Sequence, residues 1–454
     1  MSQPSGAREV PRLRAIALVD GEHYPPVTLA ALDSVRDRFD IVGAVMLGGG
    51  EKLRDGLRLA DLPIVRGTSQ RAALEDAIER FAPKAVIDIS DAPVLDTVGR
   101  LLLVSVALAR GVSYHGGDFV VRPPWRARRS TRPTIAVIGS GKRTGKTAVA
   151  AALARMLKAE GVRVVIVAMG RGGPAAPVVI RGDLERPTAE TLLALSDAGE
   201  HAASDSYEDA VVAGVTTIGA RRAGAGLAGG TVYDTVDQAL EVAEAESPDL
   251  IIMEGSGTAL PPVSCDATVF VVGGAGPSSQ VTAGLGPLRL LLADLVVATM
   301  VEEPVLSSET LAALTSQASE LARDVPIVRT VFRPSPVGSV TGKRILFATT
   351  APEAVGTALR RHLEEVHGAT VVGVTHQLAD RPKLSQELAE AEGTYDVLLT
   401  EVKAAAIDVA AQAARAAGAE IVFADNLPVA TRGDLGTAFA HVHALAIERS
   451  GART

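Results

Sequence analysis

Cysteine is almost missing from this chain: Cys265 is the single one in 454 residues. No internal disulfide can form, so packing alone must hold the fold, and the thiol beside a strand-like run is expected to act as a small buried hydrophobe. Aromatic residues are scarce too, 3% against 47% hydrophobic overall, which disfavours an aromatic-rich β-sandwich and favours Ala- and Leu-rich helices on parallel Val- and Ile-rich strands. Positive charge is in deficit, 45 Lys and Arg against 53 Asp and Glu, so the surface as a whole repels nucleic acid and no such partner is expected. Long apolar runs are lacking as well. Every one is broken by Gly or a charge before the ~18 residues of a membrane span, and the opening MSQPSGAREVPRLR has no signal-peptide core. A cytoplasmic chain without membrane contact is the expectation. No repeat period and no low-complexity tract interrupts the pattern.

What is present is an alternation of short β-branched runs with amphipathic helical stretches, the pattern of an α/β protein. RAIALVD, DIVGAVML and KAVIDIS lead to LLLVSVALARGVSYHG, one small α/β unit. Then VRPPWRARRSTRPT, residues 121–134, replaces the periodicity with three prolines and five arginines, as an exposed, solvated connection would. Beyond it TIAVIG, VRVVIVAMG, DLIIMEG, DATVFVVGG and LADLVVATMV each end in Gly, Thr, Val or an acid, a doubly wound parallel sheet with its functional loops at the strand carboxyl ends. The long Ala-, Gly- and Asp-rich segment between the second and third of these is expected to hold helices and a lid or substrate loop. The alternation resumes through RILFATT, ATVVGVTH, DVLLTEV and EIVFADNLP. Three domains are therefore expected: an N-terminal α/β domain over 1–125, a nucleotide-binding catalytic domain over 126–335 and a C-terminal α/β domain over 336–454.

The densest chemistry lies in Gly139-Ser140-Gly141-Lys142-Arg143-Thr144-Gly145-Lys146-Thr147, between an apolar strand and a helix. A phosphate-binding loop G-x-x-x-x-G-K-[ST] wraps phosphates in backbone N–H groups, neutralises them with Lys and offers a hydroxyl to magnesium. Ser140 stands where the first Gly belongs, but the strand-to-helix context restores the reading: the N–H groups of Gly145 to Thr147 open a helix N-terminus with its partial positive charge. The shifted form, G-x5-G-K-T, resembles the loop of dethiobiotin synthetase and its relatives. A glycine-rich turn that merely permits tight packing is the plainer alternative. Gly139, Gly141, Thr144, Gly145, Lys146 and Thr147 are thus the candidate nucleotide contacts. Glu254, where DLIIME ends, is the candidate magnesium ligand with Thr147, and Glu254-Gly255-Ser256-Gly257 resembles the E-G-x-G element of the same synthetases. LADLVVATM falls where that superfamily places base contacts, with packing an equal account.

Lys142 and Arg143 exceed what ATP needs, and Arg171 in MGRGGP would reach the same mouth from the next strand. Three such cations suggest a second polyanion, since Arg suits bidentate phosphate contact and Lys point-charge neutralisation; splaying into solvent is the alternative for any one of them.

Several longer stretches carry a further likeness: VDGEHYPPV, YHGGDFVVRPP, GSGKRTGKT, AMGRGGP, IVRTVFRPSPVGSVTGKRILFATTAP and DVLLTEVKAAAIDVA. Together they resemble the cyclic 2,3-diphosphoglycerate synthetases, and the likeness runs nearly end to end. The resemblance implies ATP-dependent closure of 2,3-diphosphoglycerate into a cyclic pyrophosphate with release of ADP and phosphate, with ATP and Mg2+ as cofactors, a monovalent cation as a further candidate, and a homodimer. Lys146, Lys142, Arg143 and Glu254 become the catalytic candidates, with Lys142, Arg143, Arg171, Lys403, His23 and Arg333 for the substrate phosphates. A phosphate oxygen is already ionised at neutral pH, so no base is needed to activate it, and no Asp–His pair is evident. His23 with Asp20 and Glu22 follows the first strand, Lys403 follows Glu401 at a strand end, and Arg333 sits in a proline-bounded turn. A structural histidine, an ion pair and a plain turn are their alternatives. For the whole chain the alternatives are a 2-phosphoglycerate kinase or other ATP-dependent ligase, and a nucleotide-switched partner-binding protein.

Overall fold

A computed structural model describes residues 11–49, 59, 61–199, 205–273, 279–322, 324–403 and 406–452, and the chain divides into two units. The first comprises Met1–Pro123 with Thr282–Leu291, the second Pro124–Val281 with Leu292–Thr454.

In the first unit the strands are β1 (Leu13–Val19), β2 (Phe39–Met46), β3 (Ile64–Val65), β4 (Ala85–Asp88), β5 (Ser113–His115) and β6 (Val120–Val121), ordered β3-β2-β1-β4-β5-β6. All pairings are parallel except β5 with β6. The chain order reverses direction between β1 and β4, the switch point at which open α/β sheets form crevices. Helices α1 (Pro25–Asp33), α2 (Gln70–Phe81) and α3 (Thr97–Ala109) make the crossovers. Their ends are chemically marked: Ser69 accepts from the Ala72 N–H to cap α2, and Asp96 accepts from the Gly99 N–H to cap α3.

The second unit holds β7 (Arg126–Arg129), β8 (Thr134–Gly139), β9 (Val164–Gly170), β10 (Val178–Arg181), β11 (Thr216–Ala223), β12 (Tyr233–Asp234), β13 (Leu250–Glu254), β14 (Val263–Ser264), β15 (Ala267–Gly273), β16 (Leu295–Thr299), β17 (Ile327–Pro336), β18 (Arg344–Ala348), β19 (Thr370–Thr375), β20 (Val397–Glu401) and β21 (Glu420–Arg432). One sheet runs β10-β11-β9-β13-β8-β15-β16-β17-β21-β20-β18-β19, with β12 on β11. Its middle is parallel and buried on both faces. Val164 and Ile166 of β9 face the core that contains Leu153 and Leu157 of α4 (Lys146–Ala159), Leu192 of α5 (Ala189–Asp197) and Val211 of α6 (Asp205–Ala213); Val165, Val167 and Met169 face Val236 and Leu240 of α7 (Val236–Ala245). This two-sided burial is why the strands read as unbroken apolar runs.

Residues on either side of the expected 335/336 boundary share that sheet. The position falls at the end of β17, whose antiparallel pairing with β21 carries the sheet onward. Two sequence expectations change in detail. The arginine-rich connection is exposed at Arg122, Arg126 and Arg129 and is strapped as well: Arg126 pairs with Asp234 of β12 at 2.7 Å and with Asp237 of α7 at 2.8 Å, and Arg128 with Glu241 of α7 at 2.7 Å. Cys265 is partly exposed, since it lies in the short link between β14 and β15 instead of inside a strand. Among the described residues no helix is long and apolar enough to cross a membrane.

Candidate active site

β8 is buried along its whole length, so its carboxyl end delivers the glycine-rich loop to the top edge of the sheet. The loop turns into α4 at Gly145, whose φ of 88° belongs to the left-handed region that glycine adopts without a Cβ clash. A Cβ there would also meet the Phe332 ring at 2.2 Å, so both the turn and its packing demand glycine. From the far side, the buried Thr299 at the end of β16 donates to the Thr144 carbonyl at 2.7 Å. The LADLVVATM stretch thus contributes a support for the loop.

Lys146 is buried, and its Nζ donates to the Gly141 carbonyl at 2.7 Å, the contact of an ammonium folded back over its own loop. Burial lowers its pKa; Glu254 and Asp205 oppose that shift, while Arg171 and Arg222 reinforce it. Thr147, on the first turn of α4, donates its hydroxyl to Glu254 Oε1 at 2.7 Å. β13 pairs with β8 in a register that sets Glu254 opposite Val137, which brings these two sequence-distant candidates together. Lys142 and Arg143 are exposed on the loop.

A residue not read from the sequence joins them. Asp209, on α6, is fully buried, and its carboxyl lies against that of Glu254. A hydrogen bond between two carboxyls requires a proton on one of them, and without it both Asp209 oxygens and Glu254 Oε2 have no donor. Burial, then the Glu254 charge, raises the Asp209 pKa well above the usual carboxylate range. Glu254 is raised by burial as well, against the pull of Thr147 and Lys146.

Lys403 lies at the next step of this acidic chain, ion-paired with Glu208 of α6. Burial pushes the Glu208 carboxyl up to about 7 in spite of that pairing. Arg333 forks onto Glu302, with Nη1 to Oε1 at 3.0 Å and Nη2 to Oε2 at 2.8 Å. In the first unit, the His23 ring meets Asp20 at 2.8 Å, and Asp20 also accepts from the backbone N–H groups of His23 and Asp91. Burial works against the Asp20 charge, but these hydrogen bonds, His23 first, hold its carboxyl below the ordinary range.

At the carboxyl ends of β9 and β11 stand Arg171 and Arg222. Arg171 is exposed, whereas Arg222 is buried, donating from Nη1 to the Gly224 carbonyl at 2.9 Å and from Nη2 to that of Ser256 at 2.6 Å. The arrangement offers a cradle of N–H groups, a hydroxyl–carboxylate pair suited to a hard cation, and cations on the β9–β11 side: equipment for moving phosphoryl groups.

Comparison with known proteins agrees. Three family models match: the N-terminal domain of cyclic 2,3-diphosphoglycerate synthetase over residues 14–122, its P-loop domain over 134–331 and its C-terminal domain over 336–427. The cyclic 2,3-diphosphoglycerate synthetase of Rubrobacter xylanophilus is 43% identical over 420 residues, covering 92% of this chain and 95% of that protein. The enzyme of the same name from Methanothermus fervidus is 39% identical over 449 residues, covering 96% and 98%. That from Thermococcus gammatolerans is 43% identical over 418 residues, covering 91% and 93%. The chain belongs to the cyclic 2,3-diphosphoglycerate synthetase family.

Proposed function

We propose that this chain closes 2,3-diphosphoglycerate into its cyclic pyrophosphate at the expense of ATP, which leaves as ADP and phosphate. The observation that carries the reading is the Thr147–Glu254 contact beside the buried Lys146, at the mouth where Arg171 and Arg222 also converge.

An oxygen of one substrate phosphate attacks the γ-phosphorus, the bond to ADP breaks, and an activated anhydride results. An oxygen of the other phosphate then attacks the substrate phosphorus of that anhydride; the ring closes and inorganic phosphate departs. Both nucleophiles are ionised at neutral pH, so catalysis reduces to positioning and charge neutralisation. Lys146 neutralises the phosphoryl group in transit, with the N–H groups of the loop as its cradle. Lys142, Arg143 and Arg171 face the acceptor. Lys403, bound to Glu208, acts on the site through α6.

Magnesium fits the residues present. Thr147 and Glu254 would hold it: a hydroxyl and a buried carboxylate whose second oxygen has only the Asp209 carboxyl beside it form a hard-cation donor set. Among the described residues no group of three or more His, Cys, Asp or Glu is disposed to hold a metal, so nucleotide phosphates would complete the shell. When bound, the ion supplies neutralisation of phosphate charge.

Phosphorus NMR of the chain with ATP, magnesium and 2,3-diphosphoglycerate, beside a sample without acceptor, tests the reading. A cyclic pyrophosphate resonance growing in step with ADP and phosphate is expected. ADP formation without it returns the choice to a kinase with another acceptor, or to a nucleotide switch.

A further inference from the structure

We infer that Arg222, with Arg171, forms the subsite that holds a phosphate group of the acceptor, with Arg222 as its fixed member. The inference rests on the reading above that the acceptor carries two phosphates.

The strand order places the pair. From the phosphate-binding loop on β8, the sheet steps to β13, then β9, then β11. The parallel register sets Arg221 of β11 opposite Gly170 of β9, so Arg222 and Arg171, each one residue further on, leave the carboxyl edge side by side. Lys146 feels the charge of both, so both lie within electrostatic reach of the phosphate-binding loop.

Arg222 is the unusual member. It is only 5% exposed, each terminal nitrogen gives one hydrogen bond to a main-chain carbonyl, and its Nε has no acceptor. A buried guanidinium with an N–H unpaired and a second guanidinium beside it is unfavourable until an anion enters. Among the described residues Asp205 is a carboxylate whose charge reaches Arg222, and its Oδ2 lies 3.5 Å from where a Gly170 Cβ would be. Glu254 and Asp209 are turned to each other and to Thr147.

Both guanidiniums flank one glycine. Gly257 has φ 61°, and a Cβ on it would lie 3.5 Å from Arg222 Nη2 and 3.9 Å from Arg171 Nη2. The two Nη2 atoms therefore both lie within van der Waals reach of one point beside the Gly257 backbone. Arg222, held by the Gly224 and Ser256 carbonyls, presents its N–H edge at a set angle, while the exposed Arg171 closes over the ligand. A preorganised guanidinium recognises a phosphate with geometric selectivity that a flexible lysine lacks.

Calorimetric titration of the full chain with 2,3-diphosphoglycerate, inorganic pyrophosphate and Mg-ADP separates the possibilities. Arg222→Gln should weaken 2,3-diphosphoglycerate binding ~10- to 100-fold, the scale of a charge-assisted hydrogen bond lost from a buried site, and shift Mg-ADP less than about twofold. Arg222→Lys should fall between. Arg171→Ala, at an exposed position, should give the same selective loss at about a tenfold level and covers the case in which Arg222 variants do not fold. If 2,3-diphosphoglycerate fails to bind the unaltered chain while pyrophosphate binds in an Arg222-dependent way, the subsite stands and the acceptor named above is wrong. Unchanged acceptor affinity in the Arg222 and Arg171 variants, or an equal loss for Mg-ADP, overturns the subsite.

Discussion

Lys146→Ala should lower the rate of cyclic product formation by on the order of 10³-fold while leaving the fold standing. The two halves of this expectation come from the same geometry. Nζ reaches the Gly141 carbonyl and, at the edge of hydrogen-bond distance, the Thr144 hydroxyl, both on the loop itself. Deleting the ammonium frees a carbonyl on a partly exposed residue, which water can satisfy, at a cost of about 1 kcal/mol. Burial also disfavours the ammonium charge, so part of that cost is returned. In the loaded site no other group takes its place: Lys142 and Arg143 are exposed, and Arg171 and Arg222 lie two and three strands away from β8. Lys146→Arg should fail nearly as badly. The lysine stem runs tightly past Gly139, where even a Cβ would lie 2.8 Å from its Cδ, and a planar guanidinium is wider than the ammonium this channel admits. Product formation followed by phosphorus NMR, with thermal unfolding followed by circular dichroism, checks both halves. More than a tenth of the original rate in Lys146→Ala would remove Lys146 from its role.

The loop was legible in the sequence because its chemistry is local. Spacing alone joins Gly145, Lys146 and Thr147 to a helix start, and the apolar run before them needs no partner to be recognised as a central strand. Glu254 was legible for a similar reason, since a strand that ends in an acid is visible without its neighbours. Arg222 was not. Its strand, TTIGARRA, mixes Thr, Gly and Arg, and without a Val- or Ile-rich run it reads as part of a long irregular segment; only pairing with β9 on one side and β10 on the other makes it β11. Asp209 was hidden differently. In DSYEDAVVA four polar or charged residues look like a solvated face, yet the tertiary arrangement buries Asp209 against Glu254. The ion pair of Lys403 with Glu208 spans 195 positions, and the fork of Arg333 onto Glu302 spans 31. A cation seen alone in a sequence is free to be drawn toward a substrate; the fold supplies acids that compete for it.

Arg155→Ala should destabilise the second unit by about 3 kcal/mol at pH 8, the largest structural effect expected of a residue outside the reacting groups. Arg155 lies on α4, the helix that the phosphate-binding loop opens. Its Nη1 donates to the Val212 carbonyl at the end of α6 at 2.8 Å, and its Nη2 lies 2.7 Å from Asp425 Oδ2 in β21. The second contact is an ion pair out of line for a hydrogen bond, so charge carries it. One side chain thus ties the loop helix to the helix bearing Glu208 and Asp209 and to the strand that continues the sheet. Removing it leaves a helix-end carbonyl and a buried carboxylate unserved. The pH dependence identifies the cause. Burial already raises the Asp425 pKa above its ordinary value, with Arg155 opposing, and without Arg155 it must rise further. For an acid whose folded-state pKa lies above its unfolded value, the folded state holds the proton more tightly; stability is retained at low pH and lost as pH rises through the folded pKa. At low pH Asp425 is protonated in both proteins and the penalty shrinks toward the lost carbonyl contact; as pH rises the gap between them widens. Guanidinium unfolding of the full chain at pH 5.5 and pH 8 measures this, and adding Asp425→Asn to Arg155→Ala should recover most of the pH 8 loss. An equal penalty at both pH values, unrelieved by the amide, would place the role of Arg155 in its stem packing and its bond to Val212 instead of its charge.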